Sequence, residues 1–274
     1  MSIETEQTTD PARVLERAGA FLASDPVRHN VILTLLHGRV ANPAEGRYLI
    51  AATDDEVVGV VFQSPLTFMA TMTPMSGEAV HACVEAWAPD PGGLPGIAGE
   101  AGTAARFAGH WTERTKSAAF PKLGQRLYEA GTITEPVGVG GNLRRADQSE
   151  TSLVAGWLRG FHLDIRQPAE VSDESVGRDI ATGRFWVWDD DGPASMAALT
   201  TPVEGVARVQ AVYTPPELRS RGYAAACVGR LSAKTLAAGT RCILYTDLGN
   251  PVSNSVYRRL GYRAVAEMIV YDLS

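Results

Sequence analysis

The sequence predicts an α+β protein of two αβ domains, each a mixed central sheet flanked by helices. Three observations carry that expectation. From Val206 to Gly239 an apolar strand is followed by a proline turn and an amphipathic helix, and Cys242–Tyr245 then gives a second apolar run at a distance that suits a parallel crossover. Glu135–Gly141 is rich in glycine and poor in anything that fixes a helix, which makes 137–141 a linker between a domain over 1–136 and one over 142–274. Helical and strand periodicities also follow one another in similar succession on the two sides of that linker.

The elements follow from local signals. Asp10-Pro11 has the form of an N-cap with proline at the first helical position, and Val14, Leu15, Ala18, Phe21 and Leu22 continue as a helix face. A second helix is expected over Val27–His37, ending at Gly38. Strands at Tyr48–Ala52 and Val57–Phe62 flank the hairpin signal Asp54-Asp55, and Leu66–Met72 reads as a third strand. Helices are expected over Gly77–Trp87 and Ala101–Ser117, separated by a glycine- and proline-rich break over 90–96, and a strand over Gln125–Thr132.

Beyond the linker, Asn142–Ala146 reads as a short strand. Leu153, Val154, Trp157, Leu158 and Phe161 mark a helix, and Val176 and Ile180 mark another that ends at Gly183. Strands at Phe185–Trp188 and Ser195–Thr200 enclose Asp189–Pro193, a turn signal whose aspartates lack the further ligands of a calcium loop. The strand Val206–Tyr213 stops at Pro215-Pro216, and a helix starts near Gly222 and ends at Gly239. Asn250-Pro251 opens a last helix through Leu260, and Val265–Tyr271 closes as a strand.

Composition bounds the function. The 274 residues, 45% hydrophobic and 20% charged, suit a globular chain with room for two domains. A net charge of -6 argues against a general nucleic-acid binder and favours a cationic or amine substrate. The acidic, polar start MSIETEQTTD lacks the basic and apolar parts of a secretory signal, and no apolar run reaches membrane-spanning length, so the expected place is the cytoplasm, with no membrane partner. Cys83, Cys227 and Cys242 are far apart in apolar surroundings, and the five histidines are scattered, so no metal site is expected.

The residues that point to chemistry lie where the strand meets the helix. Arg219-Ser220-Arg221-Gly222-Tyr223-Ala224 joins two guanidiniums, small residues and the free N–H groups of a helix start, an arrangement suited to a pyrophosphate. Taken alone it also fits a solvated turn. A second stretch at a suitable distance, Asn250–Tyr262 ending in Tyr-x-x-Leu-Gly-Tyr, narrows the choice.

The order of elements from Asn142 to Ser274, with Arg219-x-x-Gly222-x-Ala224 and then Asn250–Tyr262, resembles the GNAT superfamily of acyl-CoA-dependent N-acyltransferases. The N-terminal half resembles a degenerate second copy, because Met72–Gly77 carries no Arg-x-x-Gly-x-Gly/Ala. The resemblance implies acetyl-CoA as co-substrate of the C-terminal copy. Val212, Tyr213 and Thr214 would contact the pantetheine arm, Arg219 to Ala224 would hold the pyrophosphate, and Asn250 and Asn254 would touch the coenzyme. Tyr257 matches the family's proton donor, and an amine is the implied acceptor.

Each of these has a plainer reading: Tyr257 as a packed aromatic, Asn250 as a helix cap, Asn254 as a first-turn residue. The pattern also departs from the family. No Asp or Glu occurs from Val206 to Thr214, where many relatives carry a general base, so Glu204, Glu217 and Asp247 are candidates only through water and the base is left open. A non-catalytic acyl-CoA-binding module or sensor is therefore the second reading, and a structural or interaction protein the third.

Overall fold

A computed structural model describes residues 2–88, 93–167 and 169–274. The chain divides into two compact units. The first comprises Met1–Leu127, Asp247–Gly249 and Val265–Ser274, and the second Tyr128–Thr246 and Asn250–Ala264.

In the first unit the strands are β1 (Glu4–Thr8), β2 (Arg47–Thr53), β3 (Glu56–Gln63), β4 (Ala70–Met72) and β5 (Gly96–Glu100). The pairings β1–β2, β2–β3 and β3–β4 are antiparallel and β4–β5 is parallel. Helices α1 (Pro11–Ser24) and α2 (Asn30–Ala41) lie between β1 and β2 in sequence, α3 (Gly77–Trp87) joins β4 to β5, and α4 (Ala101–Thr115) follows β5. The core packs Val80, Val84 and Trp87 of α3 and Phe107 and Trp111 of α4 against Leu49, Val61 and Ile97 of the sheet.

The long strand β6 (Ala119–Ala130) leads to the second unit, whose strands are β7 (Asn142–Arg145), β8 (Phe185–Asp189), β9 (Pro193–Leu199), β10 (Val206–Tyr213) and β11 (Arg241–Asp247). The pairings β7–β8, β8–β9 and β9–β10 are antiparallel and β10–β11 is parallel. Helices α5 (Thr151–Asp164) and α6 (Asp173–Ala181) lie between β7 and β8, α7 (Tyr223–Ala237) joins β10 to β11, and α8 (Pro251–Arg259) follows β11. The succession of the first unit is thus repeated element by element. The last strand, β12 (Tyr262–Leu273), pairs with β5 through Met268–Asp272, the part that belongs to the first unit.

The caps act as the sequence predicts. Asp10 accepts from Ala12 N at 2.8 Å at the start of α1, and Asp54 and Asp55, with φ of 47° and 66°, form the β2–β3 turn. Other expectations need correction. Helix α2 runs through Gly38 to Ala41, where the Asn42 N–H closes on Gly38 O and Pro43 supplies the stop. The third strand shrinks from Leu66–Met72 to Ala70–Met72, its first half being spent on the turn after Pro65. The polar β1 and the glycine-bearing β5 went unanticipated. Of the break over 90–96, positions 90–92 lie outside the described residues, and Gly96 belongs to β5.

The second compact unit begins at Tyr128, and the first takes in Val265–Ser274 as well. The glycine-rich segment is fastened within the second unit: Gly140 O accepts from Trp188 Nε1 at 2.8 Å, and Val139 packs against the apolar cluster under α7.

Candidate acyl-CoA site of the C-terminal unit

The parallel ladder between β10 and β11 runs over four residue pairs and ends at Val209↔Leu244, although β10 continues to Tyr213 and β11 to Asp247. On its other side β10 stays paired with β9, but the register shifts between Gln210 and Tyr213, and Ala211 takes φ of 49°. A left-handed residue at a bulge bends its strand, so β10 and β11 part here and leave the backbone of the bent segment facing a gap. Of the sequence candidates, Val212 borders the apolar cluster under α7. Tyr213 turns its ring to the other face, 6.4 Å from Trp157, where Gly160 makes room, since a β-carbon there would lie 2.5 Å from the Tyr213 hydroxyl. Ser195 Oγ donates to Tyr213 O and shares a hydrogen bond with Thr214 Oγ1, each at 2.9 Å, so the strand end is held from β9.

The turn beyond Thr214 leads into α7. Ser220 and Gly222 both adopt positive φ, and Gly222 is the N-cap residue of α7 with no side-chain cap. The first helical bond of α7 runs from Ala226 N to Gly222 O at 3.0 Å, which leaves the N–H groups of Tyr223, Ala224 and Ala225 without helical acceptors. Such a terminus attracts an anion.

Arg219 is partly committed. Its Nη2 pairs with Asp164 Oδ2 of α5 at 2.6 Å, its Nε donates to Thr214 O at 3.0 Å, and the guanidinium lies 5.7 Å from the centre of the Tyr213 ring. Arg221 is more loosely held, with Nη2 3.4 Å from Glu217 O, and Ser220 is exposed. Tyr223 gives the anion end only its backbone, because its hydroxyl donates to Asp190 Oδ2 at 2.6 Å in the β8–β9 turn.

On α8, Asn250 is the helix cap and accepts from Ser253 N at 3.0 Å. Asn254 is buried: its Oδ1 accepts from Tyr128 Oη at 3.1 Å and its Nδ2 donates to Asn250 O at 2.8 Å, so both ends of the amide brace α8. Tyr257 is half-buried among aromatics, with ring centres 6.4 Å from Tyr128 and 5.9 Å from Tyr262. Burial pushes the Tyr257 phenol up to about 12, which keeps it protonated at neutral pH.

The candidate bases are less well placed. Glu204 sits in the turn before β10, at the end away from the gap, and Glu217 is exposed in the turn after it. Asp247 Oδ1 accepts from Gly249 N at 2.7 Å. Sequence reasoning missed Asp164, Tyr128 and the bulge at Ala211, since nothing local marks a lone acid, a strand tyrosine or an alanine for such roles. No helix of the described residues is long and apolar enough to cross a membrane.

Residues 191–270 match the family model for FR47-like protein. No curated protein matches the chain. Among solved structures, a GNAT-family acetyltransferase from Colwellia psychrerythraea is similar over 100% of this chain and 99% of its own, at 10% identity and a TM-score of 0.62. A GCN5-related N-acetyltransferase from Sphaerobacter thermophilus is similar over 98% and 94%, at 12% identity and a TM-score of 0.64. A tandem GNAT protein from the clavulanic acid biosynthesis pathway is similar over 100% and 98%, at 12% identity and a TM-score of 0.55. The chain therefore has the fold of the GNAT superfamily.

Proposed function

We propose that the chain is an N-acyltransferase, moving the acetyl group of acetyl-CoA to a primary amine of a small molecule or peptide, and that the C-terminal unit carries the reaction. The observation behind this reading is the parting of β10 from β11 beyond Val209↔Leu244, with the uncapped start of α7 just after it in the chain. The gap exposes strand backbone able to pair with the amides of a pantetheine arm. The free N–H groups of Tyr223 to Ala225, with Arg221 beside them, suit its pyrophosphate.

The residues divide the work by chemistry. A backbone N–H of the bent segment Ala211–Tyr213 stabilises the negative charge that develops on the thioester oxygen. The acceptor nitrogen forms a bond to the acetyl carbon as the C–S bond breaks, and the nitrogen sheds a proton to water or to an acid reached through water. The departing sulfur takes its proton from Tyr257, whose hydroxyl is protonated at neutral pH. Burial that opposes a phenolate also opposes a free thiolate in the same place, which narrows the gap between donor and acceptor acidity.

Thiol release from acetyl-CoA with a panel of amines tests the reading, and release with at least one of them is expected. The second reading, a non-catalytic acyl-CoA-binding module or sensor, is favoured by the missing carboxylate on β10. It requires acetyl-CoA to raise the melting temperature while no amine releases thiol.

A further inference from the structure

Strand alternation separates the side chains that border the gap. Val209 and Leu244 enter the apolar cluster under α7, and their neighbours Arg208, Gln210, Ile243 and Tyr245 turn to the other face, the one covered by α5 and α6. The ladder ends at Val209↔Leu244, so Gln210 and Tyr245 stand one position beyond its last rung, at the mouth of the gap, with Arg208 just behind. Arg208 Nε lies 3.5 Å from Gln210 Oε1.

This small group is costly to build. The Tyr245 hydroxyl is buried with no hydrogen-bond partner, and so is Arg184 Nε, although Arg184 Nη1 pairs with Asp179 Oδ2 at 3.0 Å. Burial opposes the charge of Arg208 and pushes it down, a direction that the neighbouring Tyr245 works against and the Arg184 guanidinium reinforces. Burial likewise pushes Tyr245 up to about 12, which keeps its O–H available as a donor. A buried donor left unused costs about 1–3 kcal/mol, and an anion that accepts from Tyr245 Oη would relieve that penalty.

We propose that Arg208 and Tyr245, with Gln210 beside them, form an acceptor subsite that binds a carboxylate, so that the acceptor is an α-amino acid or a close analogue with its amine at the gap. This deepens and rests on the acyl-transfer reading. Two donors on the same face of neighbouring strands suit a single planar carboxylate, and the guanidinium supplies the charge-assisted half of the recognition.

The test compares the twenty α-amino acids with their α-amides in thiol release from saturating acetyl-CoA. The best acid should exceed its amide in kcat/KM by about tenfold or more, and Arg208→Gln should cut that ratio about tenfold. Tyr245→Phe, which removes one oxygen and keeps the ring, should cut the ratio in the same direction by a smaller factor. Its melting temperature and acetyl-CoA affinity are read alongside, so that it decides the matter if Arg208→Gln fails to fold. Calorimetric titration of N-acetyl-amino acids into the wild type and the two variants reads the same subsite without turnover, and binding lost in the variants supports it. Equal use of acids and amides, or no binding of any N-acetyl-amino acid to the wild type, overturns the subsite. Failure of the acyl-transfer reading looks different: neither acid nor amide releases thiol, whether or not acetyl-CoA raises the melting temperature.

Discussion

In the first unit β4 meets α3 through Thr73–Ser76, and in the second β10 meets α7 through Thr214–Gly222. The first junction is short and closed. Thr73 N and Oγ1 both bond to the backbone of Val60, Met75 is buried against Gly59, and Ser76 caps α3 by accepting from Ala79 N at 3.2 Å. Gly99 of β5 lets Met72 pack directly on it, since a β-carbon there would lie 2.8 Å from Met72 Cγ. The second junction is longer and open: β10 bends at Ala211 and α7 begins on Gly222 without a side-chain cap. The same topology thus supports a plugged joint that adds to the core and a joint that leaves donors for a ligand. A few side chains decide which it becomes.

The largest effect that should separate the two units lies at Tyr257. Tyr257→Phe should lower kcat about a hundredfold or more while acetyl-CoA affinity holds, because proton transfer by a placed acid contributes about that much. Steady-state kinetics beside calorimetric binding check it, and an unchanged kcat removes Tyr257 from the mechanism. The same residue sharpens a pH argument. Burial raises its folded pKa from the ordinary phenol value of 10.0 to about 12, so the folded state holds the proton more tightly than the unfolded one and stability falls as pH rises through that window. The melting temperature should drop above pH 10, and the drop should be shallower in Tyr257→Phe.

Arg219 comes next. Arg219→Ala should weaken acetyl-CoA binding by about tenfold to a hundredfold, the worth of one charge-assisted hydrogen bond. The ion pair with Asp164 makes the origin of that loss testable. If Arg219 acts by bracing the turn against α5, Asp164→Asn should weaken binding in the same direction. If Arg219 itself reaches the pyrophosphate, Asp164→Asn frees it and binding should hold or tighten.

Much of this was legible beforehand because it rests on short-range chemistry. The prolines after β10, the Gly222 helix start and the Asn250-Pro251 cap each act within a few residues, and each lies where its spacing predicts. What escaped depends on partners distant in sequence. Nothing near Asn254 shows that Tyr128 will claim its amide, nothing near Tyr223 shows that Asp190 will claim its hydroxyl, and the polar β1 is a strand only because β2 lies alongside. The bulge at Ala211 was hidden for another reason. Alanine does not ordinarily favour a left-handed backbone, so the bend is imposed by the shift of register against β9.

The smallest effects test the helix starts themselves. Gly222→Ala places a β-carbon at φ of 86° and 2.9 Å from Val139 Cγ2, which should cost about 1–3 kcal/mol in stability and disturb acetyl-CoA binding as well. Ser76→Ala removes the cap of α3 and should cost about 1 kcal/mol, read as a lower melting temperature with acetyl-CoA affinity untouched. Both changes act on the first turn of a helix that follows the fourth strand of its unit, so topology alone would give them the same consequences. If Ser76→Ala also weakens acetyl-CoA binding, the closed junction is not closed in function, and the division of labour between the two units fails. If only Gly222→Ala does so, the open helix start of α7 is the part of the repeat that binds.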